Sequence, residues 1–306
     1  VNVYGRFGVL SLTVAAVFGI GCRQSGPSAT ASAGVVRHYP ISGKVVGTNA
    51  VSGQVEVDAT AIPGFMDAMT MPYTLKDPAM LKQIHRGDQV TGTLDVDGDG
   101  TVLDNLKVTN RSAEILQPEP QVLMKPLKPG EPVPETEFAL VDQDGKTVRL
   151  SDYLGKYLLL TFIYTHCPLS DYCPRMSHQF AEIDTLLAKQ PAAYAKTHLL
   201  SISFDPKHDT PAVLRSYGGA YTGKYTQETF DHWTFAAPTE ADYAPLLKFF
   251  DVSSVPAPGG TLTHTLSTVL IGPDGKILDW YTGNDWTVPQ VLGDMQKAMQ
   301  GKGAGA

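Results

Sequence analysis

The chain is poor in cysteine, with three in 306 residues, and modest in charge, with 18% Asp, Glu, Lys and Arg. Three cysteines exclude a disulfide-stapled scaffold, because at most one pair can close. The formal charge of −7 leaves no basic footprint, which excludes nucleic acid as a partner. The apolar run from Phe7 to Ile20 is too short for a membrane span, which needs roughly 20 residues. Asp95, Asp97, Asp99 and Gly100 open like a calcium loop, but position twelve is Leu106, where a bidentate carboxylate is required. That segment reads instead as a β-hairpin turn. What is present in quantity is apolar content, 42%, with 29 Gly and 22 Pro, enough for two small cores divided by many turns.

The N-terminus carries Arg6, the apolar run, and Gly-Ile-Gly-Cys at 19–22, the order of a secretory signal with a small-residue cleavage site. It resembles a bacterial lipoprotein signal, with Gly19 departing from the usual aliphatic residue. The resemblance implies that residues 1–21 are removed, that Cys22 receives the lipid, and that the body works outside the cytoplasm, held to a membrane by that anchor. The compartment is then oxidising, and Cys167 and Cys173 form the only pair left to the folded part.

Residues 22–37, rich in Gly, Ser, Ala and Thr, read as a flexible tether. From 38 to 116 short β-type runs alternate with Gly and Asp turns: Gly43–Val46, Gln54–Val57, Met69–Leu75, Gln89–Val96 and Gly100–Val108. This predicts a small all-β barrel of the OB-like kind. Residues 117–134 hold six prolines and read as a stiff linker. From 135 to 300 the order is a hairpin over Glu137–Leu150, a buried strand Tyr157–Tyr164, a helix with Phe180, Ile183, Leu186 and Leu187 on its apolar side, and strand His198–Phe204. A helix from Pro211 capped by Thr210, strand Thr234–Ala236, and a helix from about Glu240 with Thr239 and Asp242 as a capping box come next. Hairpin Ser267–Ile271 with Lys276–Tyr281 and a helix from about Val288 complete it, before a disordered tail at 301–306. The alternation predicts parallel crossovers in an α/β thioredoxin-like domain.

Chemistry concentrates where strand Tyr157–Tyr164 gives way to Thr-His-Cys-Pro-Leu-Ser-Asp-Tyr-Cys-Pro (165–174). A thiol between a strand end and a helix start feels the positive helix terminus, which favours the thiolate. Thiolates bind soft metals and exchange disulfides; a plain structural disulfide is the competing reading. The five residues between the cysteines are unlike the Cys-x-x-Cys of a dithiol catalyst. A peroxidatic Pro-x-x-x-Thr-x-x-Cys is absent too, since Leu160 and Tyr164 hold the Pro and Thr positions. His166 could substitute as a ligand or act as a base, His178 reads as a surface residue, and Asp205 and Asp209 read as turn and cap residues, not metal ligands. In the first domain Met66, Met69 and Met71 fall within six residues, with Met69 and Met71 on one strand face. Thioethers are soft ligands for Cu(I), although Met is also common core filler.

Phe-Ala-Leu-Val-Asp-Gln-Asp-Gly (138–145), Phe-Ile-Tyr-Thr-His-Cys-Pro (162–168), Ser-Phe-Asp-Pro-Lys-His-Asp-Thr-Pro (203–211) and Thr-His-Thr (263–265) before Val-Leu-Ile-Gly-Pro-Asp-Gly (269–275) resemble the Sco/SenC family of copper-handling thioredoxin-like proteins. The resemblance implies one copper ion on Cys167, Cys173 and His264, and a role as a copper chaperone for cytochrome c oxidase assembly. The implied partner is a copper-accepting oxidase subunit or another cuproprotein. Two thiolates and an imidazole suit Cu(I) and Cu(II) alike and lack the fourth strong donor of structural zinc. The family usually has three residues between the cysteines, so this loop is two longer. The alternative function is a thiol–disulfide oxidoreductase that keeps partner cysteines reduced, with Cys167 attacking and Cys173 resolving, or the reverse. The segment 62–73 resembles the periplasmic copper-binding barrel of the CusF type: Met69 and Met71 match its methionine pair, Asp58 and Ala59 stand where its His would be, and Met66, next to Phe65, stands where its capping aromatic would be.

Overall fold

The computed structural model describes residues 36–98, 100–112, 129–133, 138–256 and 262–301. The leader with Cys22, the tether up to residue 35, Asp99, most of the 117–134 segment and the tail beyond Gly301 lie outside the described residues.

Five strands, β1 (Arg37–Asn49), β2 (Gln54–Ala59), β3 (Met69–Leu75), β4 (Gln89–Asp97) and β5 (Gly100–Asn110), close into a barrel in the order β1-β2-β3-β5-β4. Closure removes exposed sheet edges and needs one long strand to pair on both sides. β1 does this, running antiparallel to β4 from Arg37 to Lys44 and to β2 from Gly43 to Asn49. The sequence marks only the middle of β1, because its first residues, before Ile41, are mostly exposed and show no apolar alternation. The acidic segment near Asp97 is the β4–β5 hairpin turn, with Asp97 paired to Gly100.

Strand β3 completes its contact with β5 only at Thr74 and Leu75. The opposite edge of its first half is therefore free to bond elsewhere, and the Thr70 amide donates to the Thr165 carbonyl at 2.8 Å.

The second part is a seven-stranded sheet formed by β6 (Ala139–Asp142), β7 (Thr147–Arg149), β8 (Tyr157–Ile163), β9 (Thr197–Ser203), β10 (Trp233–Pro238), β13 (Ser267–Ile271) and β14 (Ile277–Thr282). Its order is β14-β13-β8-β9-β10-β6-β7, with β8, β9 and β10 parallel and the flanking pairs antiparallel. Parallel neighbours require crossovers, supplied by α1 (Cys173–Ala188) with the short α2 (Pro191–Tyr194), and by α3 (Pro211–Thr222). Helices α4 (Glu240–Phe249) and α5 (Val288–Met299) complete the layers, and a two-stranded ribbon, β11 (Ser254–Pro256) with β12 (Leu262–His264), stands apart from the sheet. This is the thioredoxin-like arrangement. Strands β8 and β9 are buried almost throughout, as expected for central strands covered on both faces.

Helix α3 starts as its sequence dictates, with the Thr210 hydroxyl accepting from the Val213 amide at 3.4 Å and Pro in the first turn. The Thr239–Asp242 pair before α4 behaves differently: the Thr239 hydroxyl donates to Asp242 at 2.8 Å, and Asp242 also accepts from the Ala139 amide at 3.2 Å. The carboxylate thus ties α4 to β6 instead of closing a capping box. Residues 129–133 lie along the outer edge of β14, with Gly130 N–H on the Ile277 carbonyl and Ile277 N–H on the Glu131 carbonyl at 2.7 and 2.9 Å. Among the described residues no helix is long and apolar enough to cross a membrane.

Candidate metal centre

Three donors from three separate elements converge at the end of β8. Cys167 follows that strand, Cys173 is the first residue of α1, and His264 closes β12, pairing with Ser254 across the ribbon. Their sulfur atoms and one His264 ring nitrogen all lie within 4.8 Å of one another, and all three residues are buried. Both thiols are free. The two extra loop residues are absorbed by a turn in which the Tyr172 amide donates to the Leu169 carbonyl at 3.0 Å and the Arg175 amide to the Ser170 carbonyl at 3.1 Å. The turn brings the chain back, so Cys173 reaches the same point as Cys167 despite the longer spacing.

His264 is prepared as a ligand by its surroundings. Its Nδ1–H donates to the Thr265 carbonyl at 3.0 Å, which fixes the tautomer and leaves Nε2 as a lone pair 3.5 Å from Cys173 Sγ. The ring is held by Tyr164, Tyr172 and Phe204, with centroids 5.5, 5.8 and 4.6 Å away. Such a wall excludes water and strengthens any charge interaction inside it.

The two thiols share this dry space unequally. Burial alone pushes both up, but at Cys167 it is outweighed, first of all by hydrogen bonding from Cys173, and the thiol is held well below its ordinary range. Burial and then the neighbouring Cys167 push Cys173 well above it. The sequence pattern credits the helix terminus with favouring a thiolate, yet the cysteine on that terminus is the one pushed up. Loss of hydration and a like charge in contact outweigh a dipole contribution of about 0.3–1 kcal/mol.

The barrel closes the site from outside. Besides the Thr70–Thr165 bond, His208 Nε2–H donates to the Ala68 carbonyl at 2.9 Å, Glu56 meets His178 at 2.7 Å, and Arg86 lies 3.5 Å from Asp171. Asp58, on the same outward face of β2 as Glu56, is pushed up to about 6 by burial and then by Cys167, with Lys44 and His208 acting in the opposite direction. His178 is therefore an interdomain partner of a buried glutamate and not a plain surface residue.

Asp209 also departs from its expected cap role. It is buried, accepts from the Thr165 amide and hydroxyl at 3.0 and 2.6 Å and from the Ser203 hydroxyl at 2.5 Å, and burial pushes it up to about 6. It locks the loop that carries Cys167 to the end of β9. The 203–211 segment was conspicuous in the sequence, but nothing local distinguished a helix cap from a buried brace. The docking roles of Asp58, Glu56 and Ala68 carry no sequence signal, since they depend on what packs against them.

Within the barrel Met69 and Met71 are buried, and across β2 they face Ala59 and Val57. Met66 is half-buried, its sulfur 3.8 Å from the Tyr73 hydroxyl, while Phe65 stacks on Tyr39 at 4.2 Å. The strand opposite the methionine pair thus offers apolar side chains where a CusF-type barrel would offer an imidazole.

The SCO1/SenC family model matches residues 128–300, and the model for the copper-binding periplasmic protein CusF matches residues 38–108. A SCO1 protein homolog of Bacillus subtilis is 30% identical over 165 residues, covering 53% of this chain and 80% of that protein. The mitochondrial SCO1 homolog of Homo sapiens is 31% identical over 195 residues, covering 60% of this chain and 58% of that protein, so the chain spans little more than half the human relative's length. The solved structure of Bradyrhizobium japonicum ScoI with copper bound is 28% identical, covers 53% of this chain and 96% of that one, and superposes with a TM-score of 0.42. From residue 128 onward the chain belongs to the SCO1/SenC family, and a barrel of the CusF type precedes that domain.

Proposed function

We propose that this protein is an extracytoplasmic copper chaperone that carries copper on Cys167, Cys173 and His264 and delivers it to the copper site of cytochrome c oxidase or to another cuproprotein. The observation that carries this reading is the convergence of two buried sulfurs and one tautomer-fixed imidazole nitrogen within 4.8 Å. Two soft sulfurs and one nitrogen form a low-coordinate site suited to Cu(I), and the aromatic wall keeps water from completing the shell. Delivery is ligand exchange: an incoming soft donor of the acceptor bonds to the ion as one cysteine sulfur lets go, with no net oxidation. Family membership supports the acceptor, and the match to a periplasmic barrel supports the compartment. Anchoring through a lipid on Cys22 belongs to the same proposal and is tested by fatty-acid labelling of the wild-type chain beside Cys22→Ala.

The deciding experiment is an anaerobic Cu(I) titration of the reduced protein against a competing chelator, beside a Cys167→Ser/Cys173→Ser variant. One tight equivalent lost in the variant is expected. No thiol-dependent equivalent would move the assignment to the second reading, a thiol–disulfide oxidoreductase. That reading draws on the two buried thiols in contact, Cys167 pushed down and Cys173 pushed up, which suits attack by Cys167 and resolution by Cys173.

A further inference from the structure

Beside the thiols lies a second group of donors that copper delivery does not use. One ring nitrogen each of His166 and His208 and a carboxylate oxygen of Asp209 lie within 4.8 Å of one another. His166 immediately precedes Cys167 and His208 lies in the turn between β9 and α3, so the fold, and not sequence proximity, joins them. Their ring centroids are 4.2 Å apart, tilted by 57°.

Each group is prepared in the way metal ligands usually are. His208 gives its Nε2–H to the Ala68 carbonyl at 2.9 Å, so Nδ1 is left as a lone pair and the ring is aimed by a second-layer contact. Nδ1 of His166 is buried without a hydrogen-bond partner among the described residues, while Nε2 lies 3.6 Å from Asp205. Leaving a buried polar atom unpaired is costly, so a ligand that occupied it would recover that loss. Asp209 is clamped by three donors from Thr165 and Ser203, which still leaves its carboxylate one of roughly four acceptor positions.

We propose that His166, His208 and Asp209 form a second metal site, for a divalent cation of borderline softness such as Cu(II) or Zn(II). Two imidazoles and a carboxylate favour such ions, and without a thiolate the group has no preference for Cu(I). Because Ala68 of the barrel holds His208, an ion here would sit on the seam between barrel and thioredoxin-like domain, next to the thiol centre but on separate ligands.

The test uses the full chain carrying Cys167→Ser and Cys173→Ser, titrated with Cu(II) and followed by electron paramagnetic resonance and equilibrium dialysis, with Zn(II) as competitor. One Cu(II) equivalent is expected, with hyperfine splitting from two nitrogens and displacement by Zn(II). Adding His208→Gln, whose amide can still donate to Ala68, should weaken it at least tenfold, as should His166→Gln, while His264→Gln should leave it intact. Thermal unfolding of each variant checks the fold. The site is overturned if the serine variant binds no equivalent, if both glutamine variants at 166 and 208 retain it, or if His264→Gln removes it.

Discussion

His198 illustrates how burial at one residue becomes a pH dependence of the whole fold. Its Nε2 meets the Thr234 hydroxyl at 2.9 Å and its ring lies 4.6 Å from Tyr153. Burial, then His232 and Lys156, push the imidazole down to about 3 from an ordinary 6.5. Between those values the unfolded chain takes a proton that the folded chain refuses, so stability is present above pH 6.5 and is lost as pH falls, by about 1.4 kcal/mol per unit. Asp58 and Asp209, pushed up to about 6, act with the opposite sign, because the folded state takes their protons first. Comparing wild type with His198→Phe cancels those carboxylates. Urea unfolding at pH 7 and pH 5 should show a drop larger by about 2 kcal/mol in the wild type. Equal drops would mean that His198 is protonated in the fold.

At the scale of elements, α3 rests on β10 through a glycine. A Cβ on Gly218 would stand 2.6 Å from the rings of Phe230 and Phe235, which are buried and cannot yield. Gly218→Ala should therefore cost about 1–3 kcal/mol in thermal or urea unfolding, although alanine is the better helix former. Strand β3 carries the complementary question of what Met69 and Met71 do. Leucine matches their volume at a cost below about 1.5 kcal/mol, so Met69→Leu/Met71→Leu should keep the barrel folded. A Cu(I) titration of that variant should lose one equivalent if the barrel holds copper through its thioethers, with Met66 as the third. Unchanged stoichiometry would reduce them to packing.

For the whole molecule, the decisive feature is that the barrel touches the loop holding the thiols, with Thr70 bonded to Thr165 and Gly47 beside Ser170. A Cβ on Gly47 would meet Ser170 Cβ at 3.0 Å and Glu56 Oε2 at 2.9 Å, so a larger side chain there works as a wedge between barrel and loop. Gly47→Leu should raise the population in which the thiols are reachable, about tenfold for each 1.4 kcal/mol of docking lost. Alkylation of Cys167 by a maleimide reads this directly. An unchanged rate would show that reagent and acceptor reach the thiols without lifting the barrel.

The sequence alone determined a β-rich first part and an α/β second part with most of their strands and helices, because apolar periodicity and turn residues are local and survive in a linear string; it also made Cys167 and Cys173 conspicuous, while His264 rested on the family resemblance. Strand ends were legible only where burial alternates, which is why the exposed start of β1 went unmarked; the ribbon that carries His264, with strands of three residues each, went unmarked too. The opposite pull on the two thiols, the seat of Asp209 beneath Thr165, the pairing of Glu56 with His178 and the hold of Ala68 on His208 were decided by tertiary structure. Each depends on desolvation or on a bond between segments far apart in the chain, and neither quantity exists until the two surfaces have met.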